Sequence, residues 1–538
     1  MTELSAFLAV LLAGIALIAL GIAVGGAAFG ALVLRPIAAP HAAVRAALAR
    51  VLRWTWAAAI TLAVSRVLGL MLVPLGFDDG LGTLALDTLF GTVSARATLV
   101  QAAAALMLAC AAALAARRNE GGTGWSALAI TAALVLASGA WLTHAASRIE
   151  TPELLMLTTV AHQLGAAVWF GGIVHLALSR PLVTRDAAHP DLWPQLLARF
   201  SPLALASVLL LVAAGICLAL RYIGDWAALA GTGYGAMVMA KIVLVAIALG
   251  FAWLNFSSVR RWRAYGDTQR AHRYVPAWLE AELAVVATAL LTAASLSSQA
   301  PAADVPGEHA TPQEVLAVIA PKRPTLTPPA RDAFLANAAS ASDAFAAPSE
   351  LDRVQNNFNH NIAGLLVFAI GIGAVVDRSG RLPAARHWPV LFLLLAVFLF
   401  LYAEPTVWPL GTESFWGTLA VPAVLQHRLA TILVVALALF EWRVRAGTLG
   451  VTRWRFAFPL LCGVGGAMLL THSHGVFVNK SEFLIEFSHA VLGLLALLVG
   501  VGRWLELRLP AASNRAGGML WSACLIATGL VLLFYQAG

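Results

Sequence analysis

Residues 6–34 read AFLAVLLAGIALIALGIAVGGAAFGALVL, without one Asp, Glu, Lys or Arg, and Arg35-Pro36 ends the run. As a helix rising ~1.5 Å per residue, this stretch more than crosses the ~30 Å hydrocarbon core of a bilayer. Comparable runs recur near 54–75, 95–115, 125–144, 156–178, 200–222, 234–255 and 278–298, then near 358–376, 387–403, 420–440, 454–472, 483–503 and 517–536. Of the 538 residues, 60% are hydrophobic and 12% charged, about half the ~25% charge of ordinary soluble domains. The expected fold is therefore all-α, a polytopic transmembrane helix bundle of about fourteen spans. A Pro/Ala-rich polar stretch over 299–355 divides it into an eight-span and a six-span block. Inside that stretch, Thr311-Pro312-Gln313-Glu314 has the pattern of a capping box and predicts a short helix over 315–320.

The net charge of +8 reflects topology and not nucleic-acid binding. With the N-terminus outside, the loops after odd-numbered spans hold 24 of the 35 Lys+Arg, including Arg260, Arg261, Arg263, Arg443 and Arg445. The positive-inside rule then puts both termini on the outer side of the membrane. The start, Met1-Thr2-Glu3-Leu4, lacks a basic n-region, so the first span is expected to remain uncleaved. Cys110, Cys217, Cys462 and Cys524 lie in apolar runs without a C-x-x-C spacing and read as packing residues. Arg66, mid-span, reads as a structural pairing residue. The lysines are Lys241, Lys322 and Lys480, none after glycine, so no G-x-x-x-x-G-K-[ST] phosphate loop exists. Nor is there an Asp-Lys-Thr phosphorylation motif. Transport, if that is the task, is downhill, ion-coupled or partner-driven.

The histidines carry the chemistry. Thr143-His144 closes one apolar run with His162 eighteen residues on, and Thr471-His472 closes another with His489 seventeen on. In the expected topology His144, His162, His360, His427, His472, His474 and His489 all fall at or just within the outer ends of spans. Histidine is costly in lipid and binds metals well, so recurrence at one depth points to a metal-ligating cluster. Consecutive spans let His144 meet His162 and His472 meet His489. His472 and His474 cooperate only if the helix unwinds near Gly475. His162 and His175, thirteen residues apart, cannot chelate one ion. Lys241 lies in the same layer, either snorkelling or serving as a functional amine. Glu404 can add a carboxylate. Met468, one turn before His472, would add a thioether suited to Cu(I).

His162-Gln163-Leu164-Gly165-Ala166-Ala167-Val168-Trp169-Phe170-Gly171-Gly172 resembles the H-x(6)-W-x-G-G helix of the CopD/PcoD copper-resistance membrane proteins. Arg199-Phe200-Ser201, Ala214-Gly215, Tyr234-Gly235 with Lys241, and Asn255 follow in an order similar to the CopD domain, covering about 199–298. The expected organisation is then an N-terminal membrane bundle over 1–198, a CopD-like membrane domain over 199–298, a periplasmic linker over 299–355 and a six-span membrane block over 356–538. The resemblance implies a copper-handling protein of the bacterial inner membrane, not an enzyme. It would take copper, as Cu(I) or Cu(II), from the periplasm beside a small copper-binding protein of the CopC type. The chain departs from a continuous thioether and thiolate path: few methionines and cysteines lie in its spans, leaving His175 and Cys217 as stepping stones. Two other expectations stand beside this one. His162 and Lys241 could ligate haem b in a membrane redox protein, and the 299–355 stretch could dock a partner in a non-transporting sensor.

Overall fold

The computed structural model describes residues 2–73, 89–117, 122–305, 309–340, 349–471 and 480–536. Among them the regular structure is helical, with one isolated bridge between Val407 and Glu413. Thirteen helices are long and apolar enough to cross a membrane. The fourteenth expected span corresponds to Ala457–Leu470, a helix of 14 residues that begins after the 3-10 turn Arg453–Phe456. This is the all-α membrane bundle that the composition implies. The chain divides into two compact units, one of Met1–Asp225 with Lys241–Asp304, the other of Trp226–Ala240 with Val305–Gly538.

In the first unit the helices are α1 Thr2–Phe29, α2 Ala42–Leu72, α3 Val93–Arg117, α4 Gly122–Ala140, α5 Pro152–Val183 and α6 Leu192–Tyr222. The short α7, Trp226–Gly231, and the start of α8, Gly233–Tyr265, belong to the second unit; from Lys241 onward α8 belongs to the first, with α9 Thr268–Arg273 and α10 Val275–Ser297. Helix α1 is the hub, packed on α2, α5 and α10, while α3 lies between α2 and α4. Its composition explains this position. Ala16, Ala19, Ala23 and Ala27 recur at helical spacing and are buried, and small side chains let helix backbones approach closely in lipid, where packing replaces the hydrophobic drive. Both glycines of the Trp169–Gly172 motif serve packing. A Cβ on Gly171 would stand 2.8 Å from the Cα of Gly25 on α1, and Gly172 backs onto the ring of Phe200.

The second unit holds α11 Pro312–Ile319, α12 Arg331–Ser340, α13 Glu350–Ser379, α14 Leu391–Tyr402, α15 Pro422–Arg445, α16 Ala457–Leu470, α17 Lys480–Arg508 and α18 Arg515–Leu533. The expected capping box starts α11: Thr311 accepts from Glu314 N, and Glu314 accepts from Thr311 N at 2.7 Å. Ser349 and Asp352 form a second box at α13. Trp388, Phe392, Phe458 and Trp521 fill the core between the six long helices, with Trp388 and Trp521 rings 5.9 Å apart.

One end of this unit is held by charges. Glu441, fully buried, accepts from Arg445 at 2.7 Å and from Arg503 at 2.9 Å. Arg445 also pairs with Asp377, Arg378 with Glu506, and Arg503 with Glu506 at 2.7 Å. Trp521 donates to Glu506. Three arginines and three carboxylates thus join α13, α15 and α17, and Trp521 ties in α18. The excess of arginines on one side of the spans, which had read as topology alone, is here partly structural pairing. Arg66 differs from its expectation, since it is half-buried without an ion pair among the described residues, and its Nε has no partner. Cys462 and Cys524 are buried in the core, whereas Cys110 and Cys217 lie on outward helix faces.

Candidate metal-ligating site

Toward the opposite end of the second unit two histidine rings meet, with a third in electrostatic reach. His360 of α13 and His489 of α17 have ring centroids 6.1 Å apart, and His427 of α15 lies close enough to act on His360 electrostatically. A backbone carbonyl or a carboxylate can only accept, so these contacts fix the tautomers. His360 Nδ1 donates to Asn356 O at 2.9 Å, and His427 Nδ1 donates to Glu404 Oε1 at 2.5 Å. In His360 this leaves Nε2 with its lone pair, the form that ligates a metal. The Glu404–His427 pair has the carboxylate–imidazole arrangement that orients metal-bound histidines. Tyr535 completes the pocket. Its ring stacks 4.2 Å from His360, and its hydroxyl accepts from Asn356 Nδ2 at 3.4 Å. Burial pushes this phenol up to about 12, so it stays neutral. Met468 is half-buried on α16. His472 and His474 lie outside the described residues.

In the first unit the expected pair, His144 and His162, finds separate partners. His162 Nδ1 donates to Leu211 O at 3.0 Å, again freeing Nε2, and its ring lies against Gly215. Lys241 acts on it electrostatically. His144 opens a 3-10 turn, His144–Ser147, beside the carbonyls of Ser297 and Gln299. Its ring centroid is 6.3 Å from that of Tyr222, and its Nε2 is buried without a partner. Burial first, then the charge of Arg148, holds the His144 imidazolium below its ordinary pKa. Arg148 is itself clamped bidentately by Asp304 at 2.7 and 3.0 Å. His175 is fully buried and donates through Nε2 to Ile22 O at 2.8 Å.

Two features escaped sequence reasoning. His41 and His189, distant in sequence, meet with ring centroids 4.6 Å apart, and Asp186 holds His189 Nδ1 at 3.2 Å. No spacing rule connects residues on separate loops. Tyr535 sits beyond the last span, where an aromatic reads as an ordinary interfacial anchor. Among the described residues, no three His, Cys, Asp or Glu side chains stand close enough to enclose an ion together.

Residues 194–296 match the family model for Copper resistance protein D. The Copper transport protein CutJ of Bacillus subtilis (strain 168) is 29% identical over 217 residues, covering 39% of this chain and 38% of that protein. The chain thus matches about two fifths of the length of this curated relative. No solved structure matches. The Trp169–Gly172 motif lies just before the matched segment, while Phe200, Gly215, Tyr234, Lys241 and Asn255 lie within it. Residues 194–296 are therefore similar to the CopD copper-resistance family, in the region where the order of those residues implied it.

Proposed function

We propose that this protein binds copper on the periplasmic side of the bacterial inner membrane and carries it across, in copper uptake or resistance. It acts as a transporter and not as an enzyme. The observation that carries the reading is the approach of the His360 and His489 rings, with His427 in electrostatic reach of His360 and both His360 and His427 held through Nδ1 by a fixed acceptor. Two imidazoles sharing one ion through metal–nitrogen bonds of ~2.0 Å have ring centroids about 5–6 Å apart, close to the 6.1 Å between His360 and His489. Two-coordinate imidazole ligation suits Cu(I), and His472, His474 and Met468 are the further ligand-type residues that the sequence offers. His162, with Lys241 in electrostatic reach, is the second station, in the unit that contains most of the CopD match, and His144 stands apart from it. Arginine-rich loops on the far side support periplasmic termini and an inward path. A periplasmic protein of the CopC type is the natural donor to histidines at the outer surface. The CopD match and the copper transporter relative support copper as cargo, and they give the haem alternative no support.

The test is anaerobic Cu(I) titration of the purified protein against a competing chelator, beside copper accumulation in cells. His360→Ala with His489→Ala should lower the bound stoichiometry by one ion and abolish the change in cellular copper. Unchanged stoichiometry removes this site from the reading, and unchanged cellular copper removes transport.

A further inference from the structure

Glu282 is the buried one of two acidic residues on α10, seven residues after Val275 and so ~10 Å into the helix, whereas Glu280 is half-buried. It is 3% exposed. Both carboxylate oxygens are held by neutral donors: the indole of Trp169 on α5 reaches Oε1 at 2.9 Å, and the amide of Asn255 on α8 reaches Oε2 at 2.7 Å. Among the described residues no charged side chain shares the contact. The elements around it carry ionisable groups, but none is a partner of Glu282: Glu153, His162, His175 and Arg180 on α5, Lys241, Arg260, Arg261 and Arg263 on α8, Arg270, His272 and Arg273 on α9, and Glu280 on α10 itself. Helix α1 contributes only Glu3, at its far end.

An ionised carboxylate inside a membrane bundle is normally paired with a cation, because two neutral hydrogen bonds do not replace its hydration. Glu282 lacks that cation, and the oxygen of its partner amide, Asn255 Oδ1, is buried with no hydrogen bond. These two facts fit each other. With the carboxylate ionised, Asn255 Nδ2 donates to it, as observed. When a proton from water binds Glu282, the new O–H needs an acceptor, and a half-turn of the Asn255 amide presents Oδ1 to it. Release runs the same steps backward and returns the proton to water. The amide can serve either state without a change in backbone.

Further buried polar side chains lie toward the C-terminal end of the same helix, roughly 80–140° around it from Glu282. Thr288, Thr292, Ser295 and Gln299 follow at helical spacing on one face of α10 and its extension, and all are buried. Thr292 Oγ1 donates to Thr288 O at 3.0 Å. Ser295 Oγ and Gln299 Oε1 have no partner. This polar stripe ends where the His144 ring lies beside the carbonyls of Ser297 and Gln299. We propose that Glu282 is an intramembrane proton-exchange site, reached along this stripe from the His144 end, and that its protonation couples copper movement to a proton gradient. The coupling clause rests on the transport reading, whereas proton exchange at Glu282 does not.

The test uses the full chain in lipid vesicles. Infrared difference spectra between acid and alkaline pH should show the carbonyl band of a buried carboxylic acid. Glu282→Gln should remove that band, and Glu282→Asp should retain a shifted one. Thr292→Val should slow its appearance at least tenfold after a pH jump without moving its midpoint. In the same vesicles, copper entry should carry protons, read by an internal pH dye. In Glu282→Gln that proton signal should vanish and the pH dependence of copper flux should flatten, while copper stoichiometry stays unchanged. A spectrum identical in wild type and Glu282→Gln would overturn the assignment, as would full proton movement in Glu282→Gln. If wild-type vesicles move no copper, coupling falls with the transport reading, and the infrared titration alone decides whether Glu282 exchanges a proton.

Discussion

The carboxylate of Glu404, which follows α14, takes the Nδ1–H of His427 on α15 at 2.5 Å. This one hydrogen bond sets the tautomer of the ring, fixes its rotation and makes its Nε2 a better donor. Outer-shell partners of this type typically change metal affinity by ~10–100-fold when removed. Glu404→Ala should therefore weaken copper binding at the second-unit site by that factor without altering its stoichiometry. Competitive Cu(I) titration measures it directly, and an affinity equal to wild type would detach Glu404 from the site.

The first-unit histidine can be probed through a glycine. A Cβ on Gly215 would stand 3.1 Å from His162 Cε1 and 3.3 Å from Nδ1, whereas a Cβ on Gly250 would meet nothing within 4 Å. Gly215→Ala should push the imidazole off the Leu211 carbonyl, at an overpacking cost of about 1–3 kcal/mol, and disturb copper binding at that station. Gly250→Ala should leave binding intact and stabilise the helix by about 0.5–1 kcal/mol. Equal binding in the two variants would show that His162 takes no part.

Glu441 holds both Arg445 and Arg503 while fully buried. Removing one member of a buried ionic set leaves its partners uncompensated, at about 3–5 kcal/mol. Glu441→Ala should lower unfolding stability by that order, and adding Arg503→Met should cost less than the two single changes summed, because they share one contact. Denaturant titrations of the four proteins in detergent complete the cycle. Simple additivity would mean that the network does not act as a unit.

His144 gives a pH signature. Its folded pKa lies below the ordinary 6.5, first because the ring is buried and then because Arg148 is near. Below 6.5 the unfolded chain therefore binds more protons than the folded one, so stability rises with pH through that window and falls as acid is added. NMR titration of the ring should find a midpoint below 6.5. Arg148→Gln should raise it while burial keeps it under that value. A midpoint at or above 6.5 in wild type would place the ring in water.

Much of the candidate chemistry was legible as depth along the chain. Seven histidines could be assigned to the outer ends of spans from the sequence; among them, the His360 ring lies 6.1 Å from that of His489 and within electrostatic reach of His427. Which rings meet was not legible. Spacing favoured His144 with His162 because they end and enter consecutive spans, yet His162 turns to Leu211 on α6 and His144 to the carbonyls after α10. Adjacency in sequence fixes which helices are joined, not which faces they turn to each other.

The sequence by itself determined that this is a helical membrane protein, where its spans lie and that it carries a CopD-like region. Those conclusions follow from hydropathy, charge bias and residue order, which are local properties of the chain. Only the tertiary structure decided that Glu282 rests between Trp169 and Asn255, that His41 meets His189, and that three arginines and three carboxylates lock three helices together, with Trp521 tying in a fourth. In lipid every helix satisfies its own backbone, so the choice of neighbours falls to side-chain packing and to the few polar groups that need a partner.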